Sequence, residues 1–310
     1  MDSCSTGFHH DPKNNQEKAF SKFWSVGSAC FSSWRLLGLE VPDESPSHVK
    51  VDAEFGLTLP MAKVVFRFHA ELNDFLPPSQ RQVNFTHVFK ERCSIKDMIE
   101  ALGVPHTEVD CILVNAEAVN FSYIVQDSNR IDVHPISTAT NITPVVSLRP
   151  PLPSILRFVL DVHLGKLASS LRLLGFDTLY RNDYDDEELA EISASQQRVL
   201  FTRDKGLLMR SRVTYGYYVR ATNPEQQIIE VVRRFDLFGK ILPFQRCIRC
   251  NGLLEPVSKE SILDQLPHQT RLEIDEFHRC GACSQIYWRG SHYERMQQFI
   301  EGILDAQESA

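Results

Sequence analysis

The sequence predicts an α/β protein organised on a parallel sheet, with a smaller strand-rich unit before it and a cysteine module after it. Three observations carry this expectation. Residues 157–204 read strand–helix–strand–helix–strand. Residues 62–137 hold short strand-like runs around one amphipathic helix. Two CxxC pairs, Cys247 with Cys250 and Cys280 with Cys283, follow the α/β stretch.

Taken in order, residues 1–60 carry the least signal. Phe20, Phe23, Trp24, Phe31 and Trp34 cluster without a period, and 42–48 (PDESPSH) reads as a linker. This stretch is expected to be a flexible extension, with Met61 as an alternative start. In 62–137, runs at 64–69, 82–89, 111–114 and 130–133 read as strands. Ser94 caps a helix whose face is Ile95, Met98, Ile99 and Leu102. Residues 138–154, rich in Thr, Pro and Ser, predict a stiff linker.

The α/β unit is expected over 155–242. Residues 157–160 form an apolar run ending on Asp161. Leu164, Leu167, Ala168, Leu171 and Leu174 then recur at helical spacing, and Gly175 sits where a C-cap belongs. Residues 176–180 read as a second strand, and Asp185 with Glu188 resembles a capping box opening a second helix. Residues 198–202 form a third strand, closely followed by Asp204. A short helix is expected at 205–209 and a fourth strand at 215–219. A helix starts at Asn223-Pro224, with Ile228, Val231, Val232 and Phe235 buried and Gln226 and Gln227 at the surface.

Open parallel sheets place their sites beyond the carboxyl ends of the strands. Asp161 and Asp204 both stand there, and Asp183, Asp185 and Asp186 lie near a helix start expected on the same edge. Crowded carboxylates repel one another, so a divalent cation is their natural partner, and oxygen ligands favour Mg²⁺ or Mn²⁺. Such an ion activates water for phosphodiester hydrolysis. Judged one at a time, these aspartates read more readily as helix caps than as chemistry; it is the combination of two strand ends and one helix start that points to a site.

The cysteine module is expected over 243–304. Its CxxC pairs are separated by 29 residues, a longer gap than in short zinc ribbons. Four thiolates on two tight turns still predict a closed, structural Zn²⁺ site. Tyr287, Trp288, Arg289, His292 and Tyr293 follow. Aromatics interleaved with cations suit stacking on unpaired bases, with Trp288 the candidate RNA contact, and suit equally a small core beside the zinc.

At 310 residues, two or three domains are expected. The net charge of −7 argues against indiscriminate binding to nucleic acid and leaves local basic patches to do that work. Eight cysteines, four of them scattered, are not the density of a small disulfide scaffold. No run reaches membrane-spanning length, and the first residues lack a signal-peptide pattern. A cytoplasmic, reducing setting is expected. No GxGxxG follows the first strand of the α/β unit and no P-loop is present, which weakens a third reading, a small-molecule α/β enzyme.

The words FVLDVHLGKLASSLRLLGFD, DDEELAEIS, RVLFTRDKGLL and RCIRCNGLL…RCGACSQIYWRGSHYERM resemble the mutator-seven C-terminal RNase domain family, a branch of the PIN-like nucleases. The resemblance spans roughly 156–296. It implies a PIN-like parallel sheet with helices on both faces, a metal-dependent ribonuclease activity and an attached zinc ribbon. By position it implies an acidic site of Asp161, Asp186 and Asp204 and RNA contacts from Lys166, Arg172 and Arg203. A fourth acid, frequent in such sites, has no secure position here. The words CSIKDMIEALGVP, ILVNAEAV and NRIDVHPI resemble the sulfur-carrier (ThiS/MoaD-like) branch of the β-grasp, ubiquitin-like fold. Sulfur carriers act through a free Gly-Gly terminus, which is absent here, so this unit is expected to serve as an adapter for RNA or for a protein partner. The rival reading of the whole chain is an RNA-binding or adapter protein that keeps the nuclease fold without turnover.

Overall fold

The computed structural model describes residues 61–135 and 146–308. The expected N-terminal extension and the first part of the linker lie outside the described residues. In the N-terminal domain, β1 (Ala62–Phe68) and β2 (Phe85–Phe89) form an antiparallel pair, followed by α1 (Ile95–Ala101). Then come β3 (Val109–Val114), β4 (Glu117–Ala118) and β5 (Arg130–Pro135). The sheet order is β2-β1-β5-β3-β4, with β1 and β5 parallel at the centre. Alternation sets the faces: Val64, Phe66 and Phe68 point into the core with Ile131 and Val133. Ser94 caps α1 by accepting from the Asp97 N–H at 3.1 Å, and Ile95, Met98 and Ile99 close the core from above.

The central domain carries β6 (Phe158–Leu160), α2 (Gly165–Leu173), β7 (Thr178–Leu179), α3 (Asp186–Gln196) and β8 (Val199–Thr202). It continues with α4 (Lys205–Leu208), β9 (Gly216–Tyr218) and α5 (Pro224–Arg234). All pairings are parallel, in the order β7-β6-β8-β9. The strands are apolar on both faces because helices cover both. Phe158, Leu160, Val199 and Phe201 pack on α2 and α5, while Val159 and Leu200 pack on α3 and α4.

The expected punctuation is present. Asp185 caps α3, and Asn223 caps α5 with Pro224 at its first position. Gly175 adopts φ +95°, its N–H donating to Arg172 O and the Phe176 N–H to Leu171 O, which is the Schellman arrangement. A Cβ there would lie 2.1 Å from Leu242 O. Gln227, expected at the surface, is 6% exposed, because its Nε2 donates to Ala221 O and ties α5 to the loop after β9.

The C-terminal module is a three-stranded antiparallel sheet of β10 (Leu254–Val257), β11 (Phe277–Cys280) and β12 (Ile286–Trp288). The long gap between the CxxC pairs holds β10, a 3-10 segment (Lys259–Gln265) and α6 (His268–Glu273) over a small core of Ile262, Leu266, Phe277 and Ile286. Helix α7 (Ser291–Glu308) then returns to the central domain, where Ile300 and Ile303 join the core beside α5.

The β-grasp domain is fused to the central domain rather than tethered to it. Glu108, 1% exposed, accepts from the Tyr218 N–H at 2.7 Å and from Arg220 Nη2 at 2.9 Å. Arg220 also donates to Asp74 and lies over the Phe75 ring. Lys205 Nζ donates to Phe75 O, and His106 Nε2 meets Val213 O.

Candidate active edge and cysteine centre

Strand β6 runs to β7 on one side, and the chain then crosses to β8 on the other, so the topological switch point lies between β6 and β8. Asp161 follows β6 and Asp204 closely follows β8. Asp161 is 6% exposed, and both carboxylate oxygens are engaged. Oδ1 accepts from the Val162 N–H at 2.6 Å and Oδ2 from the Thr202 hydroxyl at 2.6 Å. The same Thr202 oxygen accepts from the Asp204 N–H at 2.9 Å. Thr202 therefore couples the two acids across the switch point. Asp204 is exposed and caps α4, its Oδ1 accepting from the Gly206 N–H at 2.7 Å.

The other acids are placed differently. Asp186, in the first turn of α3, faces Arg210 Nη2 at 3.5 Å. Asp185 accepts from the Glu188 N–H at 2.8 Å and is a cap. Asp183 is held by both ends of the Arg181 guanidinium. Among the described residues, the four cysteines are the only group of three or more His, Cys, Asp or Glu whose ligand atoms lie within mutual reach. The three expected acids thus do not close into one cluster in this arrangement. Asp161 and Asp204 have the donor chemistry for a hard divalent cation; Asp186 is engaged with Arg210.

The basic residues divide. Lys166 is exposed in the first turn of α2. Arg172, expected to meet RNA, is 3% exposed and serves as a strut: Nε donates to Thr178 O, Nη1 to Ile248 O and Arg249 O, and Nη2 to Tyr180 O. Four of its five N–H donors are spent on backbone carbonyls and the side chain is buried, so it is not placed to hold a phosphate. Burial pulls this guanidinium below its ordinary range, and the neighbouring Cys250 and Cys247 sulfurs pull it partly back. Arg203 is half-buried, its Nη1 facing the carbonyls of Val219, Arg220 and Ala221. Trp288 is half-exposed on β12.

The four Sγ atoms of Cys247, Cys250, Cys280 and Cys283 lie within 4.8 Å of one another. Cys247 is 3.6 Å from Cys283 and Cys250 is 3.4 Å from Cys280. The edge of a ZnS₄ tetrahedron is about 3.8 Å for a Zn–S bond of about 2.3 Å, so the cluster fits structural zinc. The Tyr287 hydroxyl stands 3.0 Å from Cys247 Sγ. Burial pushes the Cys247 thiol up, but hydrogen bonds from Tyr287 and from the backbone of Cys250 and Arg249 outweigh it and bring the thiol down to about 7. Burial, reinforced by the neighbouring thiols, pushes Cys250 up to about 12.

Three contributors escape sequence reasoning. Thr202 reads as an ordinary strand residue. Tyr180 donates its hydroxyl to Val162 O, beside Asp161. Asn251, at φ 73°, accepts from the Thr178 N–H and donates to Asp177, locking the first knuckle to the start of β7. An Asn directly after a CxxC is the only sequence signal for it.

Residues 156–300 match the family described as Mut7-C RNAse domain, and residues 61–141 match the Mut7-C ubiquitin domain. No curated protein and no solved structure matches the chain. The first match spans the coupled acids, the Arg172 strut and the cysteine centre, and the second spans the five-stranded domain docked beside them. The chain therefore carries a Mut7-C ubiquitin-like domain followed by a Mut7-C RNAse domain.

Proposed function

We propose that the chain is a metal-dependent ribonuclease acting at the carboxyl edge of the central sheet. The observation that carries this reading is the Asp161–Thr202–Asp204 bridge across the switch point, within the stretch that matches an RNase family. Asp161 and Asp204 would hold Mg²⁺ or Mn²⁺, with Asp186 as the third acid. When bound, the ion activates water and stabilises charge at the phosphodiester. Thr202 and the Val162 N–H orient the Asp161 carboxylate, while the Gly206 N–H orients Asp204. Lys166 and the exposed part of Arg203 steer the phosphate backbone. The zinc ribbon, through Trp288, holds RNA beside the edge. The β-grasp faces left free by docking would receive a protein partner. No helix among the described residues is long and apolar enough to cross a membrane, and four clustered thiolates suit the reducing cytoplasm.

The test is Mn²⁺-dependent cleavage of single-stranded RNA by the full chain. Asp161→Asn and Asp204→Asn should abolish cleavage with the fold intact. Asp185→Asn should remain active, since Asn caps as well as Asp. Full activity in the first two variants would remove the site from this edge. The engagement of Asp186 with Arg210 favours one alternative, an RNA-binding adapter without turnover. Metal-independent RNA retention without cleavage would put that reading first.

A further inference from the structure

Between the β11–β12 hairpin, the start of α7 and the segment 243–245 lies a cleft of about 290 Å³. Its walls are aromatic: Phe244, Tyr287, Trp288 and Tyr293. Three of these rings are held by neighbouring groups. Tyr293 stacks on Phe244 with centroids 4.6 Å apart and planes 28° apart. Tyr287 is pinned by its hydroxyl to Cys247 of the cysteine centre. Trp288 leans on Phe277 at 6.3 Å and stays half-exposed. Gly290 leaves the indole edge clear, since a Cβ there would lie 3.1 Å from Trp288 Nε1.

The polar groups of the cleft are uncommitted. Among the described residues, the Trp288 indole N–H, the His278 imidazole and the Gln245 amide have no hydrogen-bond partner in the protein. Arg289 lies over the Tyr293 ring at 5.7 Å, and its ion pair with Glu276 is long, at 3.8 Å, with both side chains exposed. Such a pair is readily exchanged for another anion. A compact aromatic slot with a few unsatisfied donors and acceptors, and a cation at its lip, suits a flat heterocycle attached to a phosphate. The volume is at the small end of ligand sites, about 300 Å³, which limits it to a single base.

The cleft is also mechanically continuous with the acidic edge. The knuckle that pins Tyr287 is held by Arg172, whose Nη2 reaches Tyr180 O, and the Tyr180 hydroxyl donates to Val162 O beside Asp161. We propose that this cleft is a subsite for one unpaired nucleobase of the RNA strand, held by aromatic stacking and base-edge hydrogen bonds at a fixed offset from Asp161. The proposal rests on the ribonuclease reading and specifies its substrate as single-stranded where it crosses the ribbon.

The test uses the full chain in its zinc-loaded Asp161→Asn form and a short single-stranded RNA. The same RNA is also used with one base at a time replaced by an abasic position. Trp288→Ala should weaken binding by about 5- to 150-fold, the worth of one base–aromatic stack. His278→Ala, an exposed change that leaves the packing alone, should weaken it in the same direction. One abasic position should reproduce the Trp288→Ala loss, and combining the two should add nothing. Zinc content and far-UV circular dichroism check that each variant is folded. Unchanged affinity in both variants, beside wild-type cleavage of the same RNA, would overturn the subsite and leave the ribonuclease reading standing. Absence of both RNA binding and cleavage in the unmodified chain would overturn both.

Discussion

Glu108→Ala should destabilise the protein by about 3 kcal/mol, although Glu108 is in the ubiquitin-like domain and far in sequence from the acids. Glu108 is 1% exposed, and each carboxylate oxygen is used: one by the Tyr218 N–H at 2.7 Å, the other by Arg220 Nη2 at 2.9 Å. Removing one partner of a buried ion pair costs about 3–5 kcal/mol, because the other charge is left uncompensated. The lower end applies, because Arg220 keeps Asp74 at 3.1 Å and the Tyr218 carbonyl at 3.0 Å. Burial lowers the Arg220 guanidinium, yet the nearby Glu108 charge outweighs it and the group sits above its ordinary range. Glu108→Gln keeps an acceptor for Tyr218 and loses only the charge, so about 1–2 kcal/mol is expected. Urea unfolding gives the stability change, and hydrogen exchange at the Tyr218 amide reports the local opening. An Ala variant within about 0.5 kcal/mol of wild type, with unaltered exchange at Tyr218, would refute the reasoning and make the two domains independent.

Four further outcomes are expected. Thr202→Val keeps shape but strands Asp161 Oδ2 and the Asp204 N–H; it should cost about 2 kcal/mol and lower the cleavage rate at unchanged RNA affinity, read by single-turnover kinetics. Cys250→Ser should abolish zinc binding and expose the ribbon to limited proteolysis, since structural zinc is folding energy; metal analysis and proteolysis decide it. Gly175→Ala must hold a Cβ at φ +95° against Leu242 O and should cost at least ~2 kcal/mol, measured by thermal unfolding. Asp177 is raised by burial but lowered further by Arg198 and Asn251, so its net shift is downward. Its contribution is present above the unfolded carboxylate pKa of about 3.9 and lost as pH falls through the lower folded value. Asp177→Asn should therefore flatten the acid limb of the stability profile.

Most of the regular structure was legible because it is encoded over short distances. The period of Leu164 to Leu174, the caps at Ser94, Asp185 and Asn223, and the positive φ at Gly175 depend on neighbours within about one helical turn. The cysteine centre was legible for a related reason: each CxxC knuckle is local, and only the pairing of the two is long-range. Parallel order could also be inferred, since strands joined by helices must cross over.

What tertiary structure alone decided is which polar groups face one another. Arg172, expected by resemblance among the RNA contacts, is buried against carbonyls 76 and 77 residues away. Gln227 was expected at the surface and is buried, because its partner arrives from the preceding loop; Glu108, which carries no sequence signal, is buried because its partners arrive from another domain. Asp161 and Asp204 were identifiable as strand-end acids, but their coupling through Thr202 exists only because β6 and β8 are neighbours in the sheet. Hydrophobic pattern specifies which face of an element is buried, and caps specify where it ends. Neither states the long-range register that brings one element's donors to another's acceptors, and a buried charge is tolerated only where that register supplies its partner.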